Sequence, residues 1–299
     1  MQWVDFGRST ETFQAVRLED RRMPATIAEL GPSHLGALRT LLSHDLLHNL
    51  YLLGLLEEFG IVCDPERAPF RYVGRFSEAG ELAAVVFVGG NGGLVVPSAS
   101  PQSHISEIAR KLVDQVPLCS CLGERPLVDA MVQHFRVTPT FSQAQKLFSV
   151  SADDLGPFTN PSLRQATEAD VEQLVPMATA AARETFMRDP LEEDPEGFPM
   201  RVRQRVRSGR TYVLEDRGRL VFKLDVGSRS QYGAELEGLY TVPEERRKGI
   251  ATLCLGQISR FLLSSLPRLT LRVDESSGFS EAARKVGYLA GRPQRVIWT

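Results

Sequence analysis

Residues 236–251 read LEGLYTVPEERRKGIA, and this stretch leaves the chain few ways to fold around it. An apolar, β-branched run predicts a strand that halts at Val242-Pro243. The turn Arg246-x-x-Gly249-x-Ala251 follows, and apolar residues then recur at helical spacing. A strand that ends in a basic, glycine-containing turn and restarts as a helix aims several unpaired N–H groups at one point. That point carries the positive end of the helix dipole and suits a diphosphate. Gly249 lets a ligand approach the backbone, and Arg246, Arg247 and Lys248 add mobile positive charge. Three basic residues in a first helical turn oppose the dipole, so an ordinary strand–turn–helix explains them poorly.

The 299-residue length predicts two domains. A formal net charge of −2 with 24% charged residues argues against a nucleic-acid partner held by bulk electrostatics. No apolar run has the ~20 residues of a bilayer span, and the amino terminus has no signal-peptide core. A cytoplasmic protein without a membrane partner is therefore expected. Cys119 and Cys121 are too close for a zinc knuckle, so these, Cys63 and Cys254 read as buried, reduced thiols, with no metal.

The first half predicts a strand at 25–30, helices with Ser33 as N-cap, a hairpin of strands 71–75 and 82–88, and the glycine-rich break Gly89 to Gly93. Helices at about 102–113 and 125–135 flank a strand at 118–122, and a strand at 145–150 closes this half. Residues 151–162 (SADDLGPFTNPS) read as a linker. The order then restarts: a strand at 163–166, helices at 170–186 and 197–208, and a hairpin of strands 211–214 and 220–226. The strand 234–242, helix 249–263, strand 269–273, helix 280–286 and strand 295–298 complete it.

The turn at Arg246 to Ala251 resembles the acyl-CoA signature of the GNAT superfamily of N-acetyltransferases, Arg/Gln-x-x-Gly-x-Gly/Ala after a strand, and the βααβββαβαβ order agrees. The segments GGNGGLVVP and LVFKLDVG are also similar to a bacterial group of tandem acetyltransferases best known from actinobacteria. The expected fold class is thus α/β (α+β): two tandem GNAT-like domains, each a mixed, mostly antiparallel sheet flanked by helices. Residues 1–150 form the first domain, 151–162 the linker and 163–299 the acyl-CoA-binding domain. The first domain reads as degenerate, because Val96-Pro97-Ser98-Ala99-Ser100-Pro101 stands where the signature turn would be.

The resemblance implies acetyl-CoA as cosubstrate. Leu239, Tyr240 and Thr241 would hold the pantetheine arm as a false β-partner, and the N–H groups of Arg246, Arg247, Lys248, Gly249, Ile250 and Ala251 would hold the diphosphate, with Thr252 capping the contact. A general base must stand close to the acceptor amine. No histidine follows His134, so the candidates are Glu235, eleven residues before Arg246, and Glu237, nearer the acetyl group expected beside Leu239. A glutamate between an apolar strand and a cleft is expected to have a raised pKa. Counting back from Gly287-Tyr288, the family's general-acid tyrosine is replaced by Ala283, and its asparagine by Ser276. Tyr240 or Ser276 is the substitute acid, or the thiolate leaves without one, or catalysis is lost.

Other constellations are weaker. His44, Asp45 and His48 read as structural or surface residues, since no further ligand stands nearby in sequence. The acidic loop Arg188 to Asp194 recruits a cationic amine or is simply solvated. Arg201, Arg203, Arg205 and Arg207 read as a solvated helix face. The expected function is transfer of an acetyl group to a primary amine of a small molecule or a peptide amino terminus. The alternatives are a non-catalytic acyl-CoA sensor and a protein- or tRNA-modifying acyltransferase, the tRNA version being disfavoured by net charge.

Overall fold

The structure is a computed structural model that describes residues 25–63, 69–101 and 103–299. Its strands are β1 (Thr26–Glu29), β2 (Phe70–Phe76), β3 (Leu82–Gly89), β4 (Leu94–Ala99), β5 (Ser120–Glu124), β6 (Phe141–Val150), β7 (Arg164–Gln165), β8 (Thr211–Asp216), β9 (Arg219–Ser230), β10 (Gly233–Thr241), β11 (Leu269–Val273) and β12 (Leu289–Trp298). Its helices are α1 (Leu35–Ser43), α2 (Leu46–Phe59), α3 (Ser103–Leu112), α4 (Arg125–Phe135), α5 (Val171–Phe186), α6 (Pro190–Glu193), α7 (Gly197–Arg207), α8 (Ile250–Leu263) and α9 (Gly278–Val286). The α8 helix forms because Cys254, Leu255, Ile258 and Leu262 make one apolar stripe, and all four are buried. At the start of α5, the Asp170 carboxylate accepts from the Thr167 N–H at 2.7 Å and from Arg164 at 2.7 Å. The Arg164 hydrogen bond, more than any other contact, holds the Asp170 carboxyl down at about 2.

Among the described residues the twelve strands join one sheet in the order β1-β2-β3-β4-β5-β12-β6-β11-β10-β9-β8-β7. Neighbours are antiparallel except for β4–β5 and β10–β11, so the mixed, mostly antiparallel character expected from the sequence is present. The order also shows something that local patterns did not reveal. Strand β6, from the first half, lies between β11 and β12 of the second, and β12 lies between β5 and β6. Phe148 of β6 is fully buried in the same apolar cluster as Leu174, Phe222, Leu255 and Leu271 of the second half. Residues 151–162 run back over α8 and the end of α9: Asn160 N–H donates to Gln257 of α8 at 3.2 Å, and Gly156 N–H to the Val286 carbonyl of α9 at 2.8 Å.

Because each half completes the other's sheet, we expect denaturant unfolding to show one transition by both far-ultraviolet dichroism and tryptophan fluorescence. Two separated transitions would show that the halves fold independently. A fragment of residues 163–299 would lack β6 and expose the edges it covers, so aggregation is its expected fate.

Smaller departures have local causes. Ser33 lies inside a 3-10 turn instead of capping α1, because the His34 ring Nδ1 accepts the Gly31 N–H at 3.0 Å and tightens the turn. Cys119 is exposed and Cys63 half-buried, so only Cys121 and Cys254 fit the buried reading. Burial pushes the Cys254 thiol up to about 12. No helix of the described residues is long and apolar enough to cross a membrane.

Candidate active site

The site begins where β10 and β11 separate. They pair in parallel only over Ala234–Leu236 and Leu269–Leu271, while β10 continues to Thr241 against β9. Beyond Leu236 one edge of β10 therefore has no strand beside it, and a cleft of about 990 Å³ opens there. A register shift between Glu237 and Tyr240 marks a bulge, with Gly238 at φ +60°. Bulges of this kind re-aim side chains and end strand pairing. A buried ion pair pins the bulge. Lys223 Nζ donates to the Gly238 carbonyl at 2.8 Å and to Asp225 Oδ2 at 2.7 Å, and Thr211 Oγ1 donates to Asp225 Oδ1 at 2.7 Å. These contacts and Lys223 itself hold the Asp225 carboxyl below the usual range against its burial.

The basic turn closes the other end of the cleft. Gly249 precedes α8 with φ +83°, and Arg247 also has positive φ, +64°. Leu253 is the residue whose N–H first closes onto the turn, at the Gly249 carbonyl 3.0 Å away. The N–H groups of Gly249 to Thr252 ahead of it belong to the first turn of the helix, where such groups have no intrahelical partner, whereas the Arg246 N–H donates to the Pro243 carbonyl at 3.3 Å. Nothing lies within 4 Å of a Cβ built at Gly249, so the turn has open space there. Arg246 donates to the Thr241 carbonyl at 2.9 Å, pairs with both oxygens of Glu184 and sits 5.4 Å over the Tyr240 ring. The Thr241 hydroxyl is buried and has no hydrogen-bond partner among the described residues.

Most residues singled out from the sequence line this cleft: Glu237, Leu239, Tyr240, Thr241, Arg246, Arg247, Gly249, Ile250, Ala251 and Thr252. Three do not. Lys248 turns to Glu245, 2.9 Å away. Ser276 is exposed, and its hydroxyl donates to Asp274 at 2.7 Å. Glu235 is buried beneath the cleft, ion-paired with Arg272 and near Thr270. Burial raises the Glu235 pKa; Arg272 opposes this and Glu237 adds to it. Glu237 is the glutamate that reaches the cleft, where Arg205 Nη1 stands 2.9 Å from its Oε1.

No protein-family model matches the chain, and no curated protein matches it. Solved structures do. A GNAT-family acetyltransferase from Colwellia psychrerythraea superposes with a TM-score of 0.53 at 12% identity, over 92% of this chain and all of that one. A GCN5-related N-acetyltransferase from Sphaerobacter thermophilus gives 0.55 at 13%, over 92% and 95%. A tandem GNAT protein from the clavulanic acid biosynthesis pathway gives 0.53 at 11%, over 92% and 97%. The chain has the GNAT fold. The match to the tandem protein spans both halves, as does the interleaved sheet.

On this GNAT frame several groups come together that sequence spacing did not bring near one another. Arg205 was read with a solvated face, but it reaches into the cleft to Glu237 and lies 3.4 Å from Asp225. Arg201 also lines the cleft, paired with Asp194, whereas Arg203 and Arg207 lie outside it and both pair with Glu168. Gln143 and Gln145 of β6 line the cleft, so the first half contributes to the site directly. The ring of Tyr51 of α2 lies 5.6 Å from the Arg272 guanidinium, and its hydroxyl pKa is pushed up first by burial, then by Glu237 and Glu235. In sequence these residues are scattered between positions 51 and 272, and no local motif marks them.

Ala283, in the place of the family's tyrosine, is fully buried. Tyr240 lines the cleft, with a pKa raised mainly by burial. The segment Arg188 to Asp194, expected as a loop, contains α6, and three of its four acids pair closely, Asp189 with Arg183, Glu193 with Arg188 and Asp194 with Arg201, while the exposed Glu192 lies 3.9 Å from the same Arg183. Asp45 and His48 gain a third potential ligand that the sequence did not offer, Glu124 of β5, within 4.8 Å. The Arg292 guanidinium lies among them, 3.1 Å from Glu124 and 3.0 Å from His48 Nε2, and supplies the positive charge of the cluster.

Proposed function

We propose that the protein is an acetyl-CoA-dependent N-acetyltransferase acting on a primary amine. The observation that carries this reading is the juxtaposition, in one cleft, of the open first turn of α8, the unpaired edge of β10 at Leu239 to Thr241, and the carboxylate of Glu237. The turn from Arg247 to Thr252 would bind the diphosphate through main-chain N–H groups, since the Arg246 N–H is bonded to the Pro243 carbonyl. The free edge of β10 would hold the pantetheine arm, and the partnerless Thr241 hydroxyl supports a polar ligand there. Glu237 would take the proton from the acceptor ammonium, directly or through water. The amine nitrogen then bonds to the thioester carbon as the carbon–sulfur bond breaks, and the nitrogen gives up a second proton while the thiolate takes up one. Tyr240, one of several hydroxyls in the cleft, can supply that proton and regain the one the nitrogen releases, and the proton held by Glu237 then passes to solvent.

In the domain division that goes with this reading, residues 163–299 carry the chemistry and 1–150 form a degenerate GNAT-like domain that shapes the acceptor end. A second reading, a non-catalytic acyl-CoA sensor, is favoured by one observation, the buried alanine at position 283. Calorimetric titration with acetyl-CoA, followed by mass detection of released CoA across a panel of amines, separates the two. Micromolar binding with amine-dependent release is expected. Binding without release by any amine would favour the sensor, and no binding would sink both readings.

Thr241→Val gives a finer test. Removing a buried hydroxyl that lacks a partner should leave the free protein as stable or up to about 1 kcal/mol more stable. Affinity for acetyl-CoA should fall about tenfold if that hydroxyl serves the ligand. Unchanged affinity would remove Thr241 from the binding set.

A further inference from the structure

The charges along the cleft floor form a balanced set. Lys223, Arg205 and Arg272 are positive, and Asp225, Glu237 and Glu235 are negative. Four of the six are buried in pairs, Lys223 with Asp225 and Arg272 with Glu235. The remaining pair shows surface to the cleft, with 41% of the Arg205 side chain and 34% of the Glu237 side chain exposed. It also bridges two elements, since Arg205 comes from α7 and Glu237 from β10.

This arrangement constrains what can displace the pair. A simple cationic amine that took Glu237 from Arg205 would leave Arg205 facing only Asp225, which Lys223 already neutralises at 2.7 Å. One positive charge would then stand uncompensated in a partly enclosed cleft, where the cost of unpaired charge is high. A ligand with both charges avoids this. Its ammonium replaces the guanidinium on Glu237, its carboxylate replaces Glu237 on Arg205, and the net charge is unchanged. Arg205 presents a planar donor fork that matches a carboxylate. Its 3.4 Å contact with Asp225 keeps it in the cleft when Glu237 turns to the amine. Glu237 and Arg205 touch in the free protein, so the two charges of the ligand must lie close together, as on one or a few carbons.

We infer that the acceptor is a free amino acid, bound as a zwitterion by exchange with the Glu237–Arg205 ion pair. This rests on the acetyltransferase reading and narrows its acceptor from any primary amine to one with a nearby carboxylate. The exchange also places the ammonium on the carboxylate that would deprotonate it, so recognition and proton removal use the same group. Arg205 is then the residue that sets specificity.

The test is CoA release from acetyl-CoA by the full-length protein with each of the twenty amino acids, each beside its carboxamide and its decarboxylated amine. At least one amino acid should give a kcat/KM on the order of 10²-fold above its own amide and amine, because they leave Arg205 unpaired. Arg205→Gln should erase that preference by lowering the amino acid to the level of its amide, with acetyl-CoA affinity unchanged by calorimetry. Arg205→Lys should restore part of it. Amides or amines that serve as well as the amino acid would overturn the inference and leave the acetyltransferase reading standing. Release driven only by peptides or simple amines would do the same. Failure of acetyl-CoA to bind the unmodified protein would overturn both. If Arg205→Gln does not fold, the matched panel on the unmodified protein decides the matter by itself.

Discussion

Gly249→Glu is expected to lower acetyl-CoA affinity by about 10³-fold or more while leaving a folded protein. Two costs add. Position 249 has φ +83°, where an L side chain costs ~1–2 kcal/mol; the free turn relaxes that strain, and binding must restore it. The introduced carboxylate would also stand where the diphosphate is proposed to sit, and facing like charges cost several kcal/mol. The fold should survive, because nothing lies within 4 Å of the new Cβ in the free protein. Gly249→Ala separates the two costs, since it keeps the backbone strain without the charge and should lose only about tenfold. Calorimetry on both variants, with thermal denaturation as control, checks the prediction. Micromolar affinity retained in Gly249→Glu would move the diphosphate away from this turn.

Glu237→Gln should reduce turnover by about 10²–10⁴-fold with acetyl-CoA affinity little changed, since the amide cannot accept a proton. The informative comparison is Glu235→Gln. Glu235 is buried against Arg272, itself 9% exposed, and removing one partner of such a pair costs about 3–5 kcal/mol of stability. The two glutamates, two residues apart on one strand, should therefore fail in different ways, one in turnover and the other in melting temperature. A Glu235→Gln variant with a native melting temperature and no turnover, beside an active Glu237→Gln, would reverse the assignment. The departure of β10 from β11 after Leu236 is what separates the environments of the two glutamates.

The element order was legible because period and punctuation are local properties. The helix expected over 125–135 and the strand over 269–273 are found at those residues, bounded by signals within a few positions. The signature turn was legible for the same reason, since its glycine, proline and basic residues lie within ten positions of one another. Where a boundary moved, distant pairing moved it. Strand β6 begins at Phe141 instead of 145, and β12 at Leu289 instead of 295, because each lies between two strands that extend its ladder. The Arg205 reading differed because its helix periodicity resembles that of its exposed neighbours, and only the position of Glu237 across the cleft draws it inward.

Taken alone, the sequence determined where most of the strands and helices lie, and that a basic, glycine-containing turn stands between one strand and the next helix. Those outcomes depend on steric and hydrogen-bonding preferences within a few residues of chain. The tertiary structure decided that the halves share one sheet, that Glu237 faces the cleft while Glu235 is sealed beneath it, and that Arg205, Asp225 and Lys223 join Glu237 in one balanced row. Alternation along β10 puts both glutamates on the same face of the strand; only the separation of the strands and the partners brought by α7, β9 and β11 give them different surroundings. Electrostatic role depends on what lies within a few ångströms in space, and no local pattern in the chain encodes those distances.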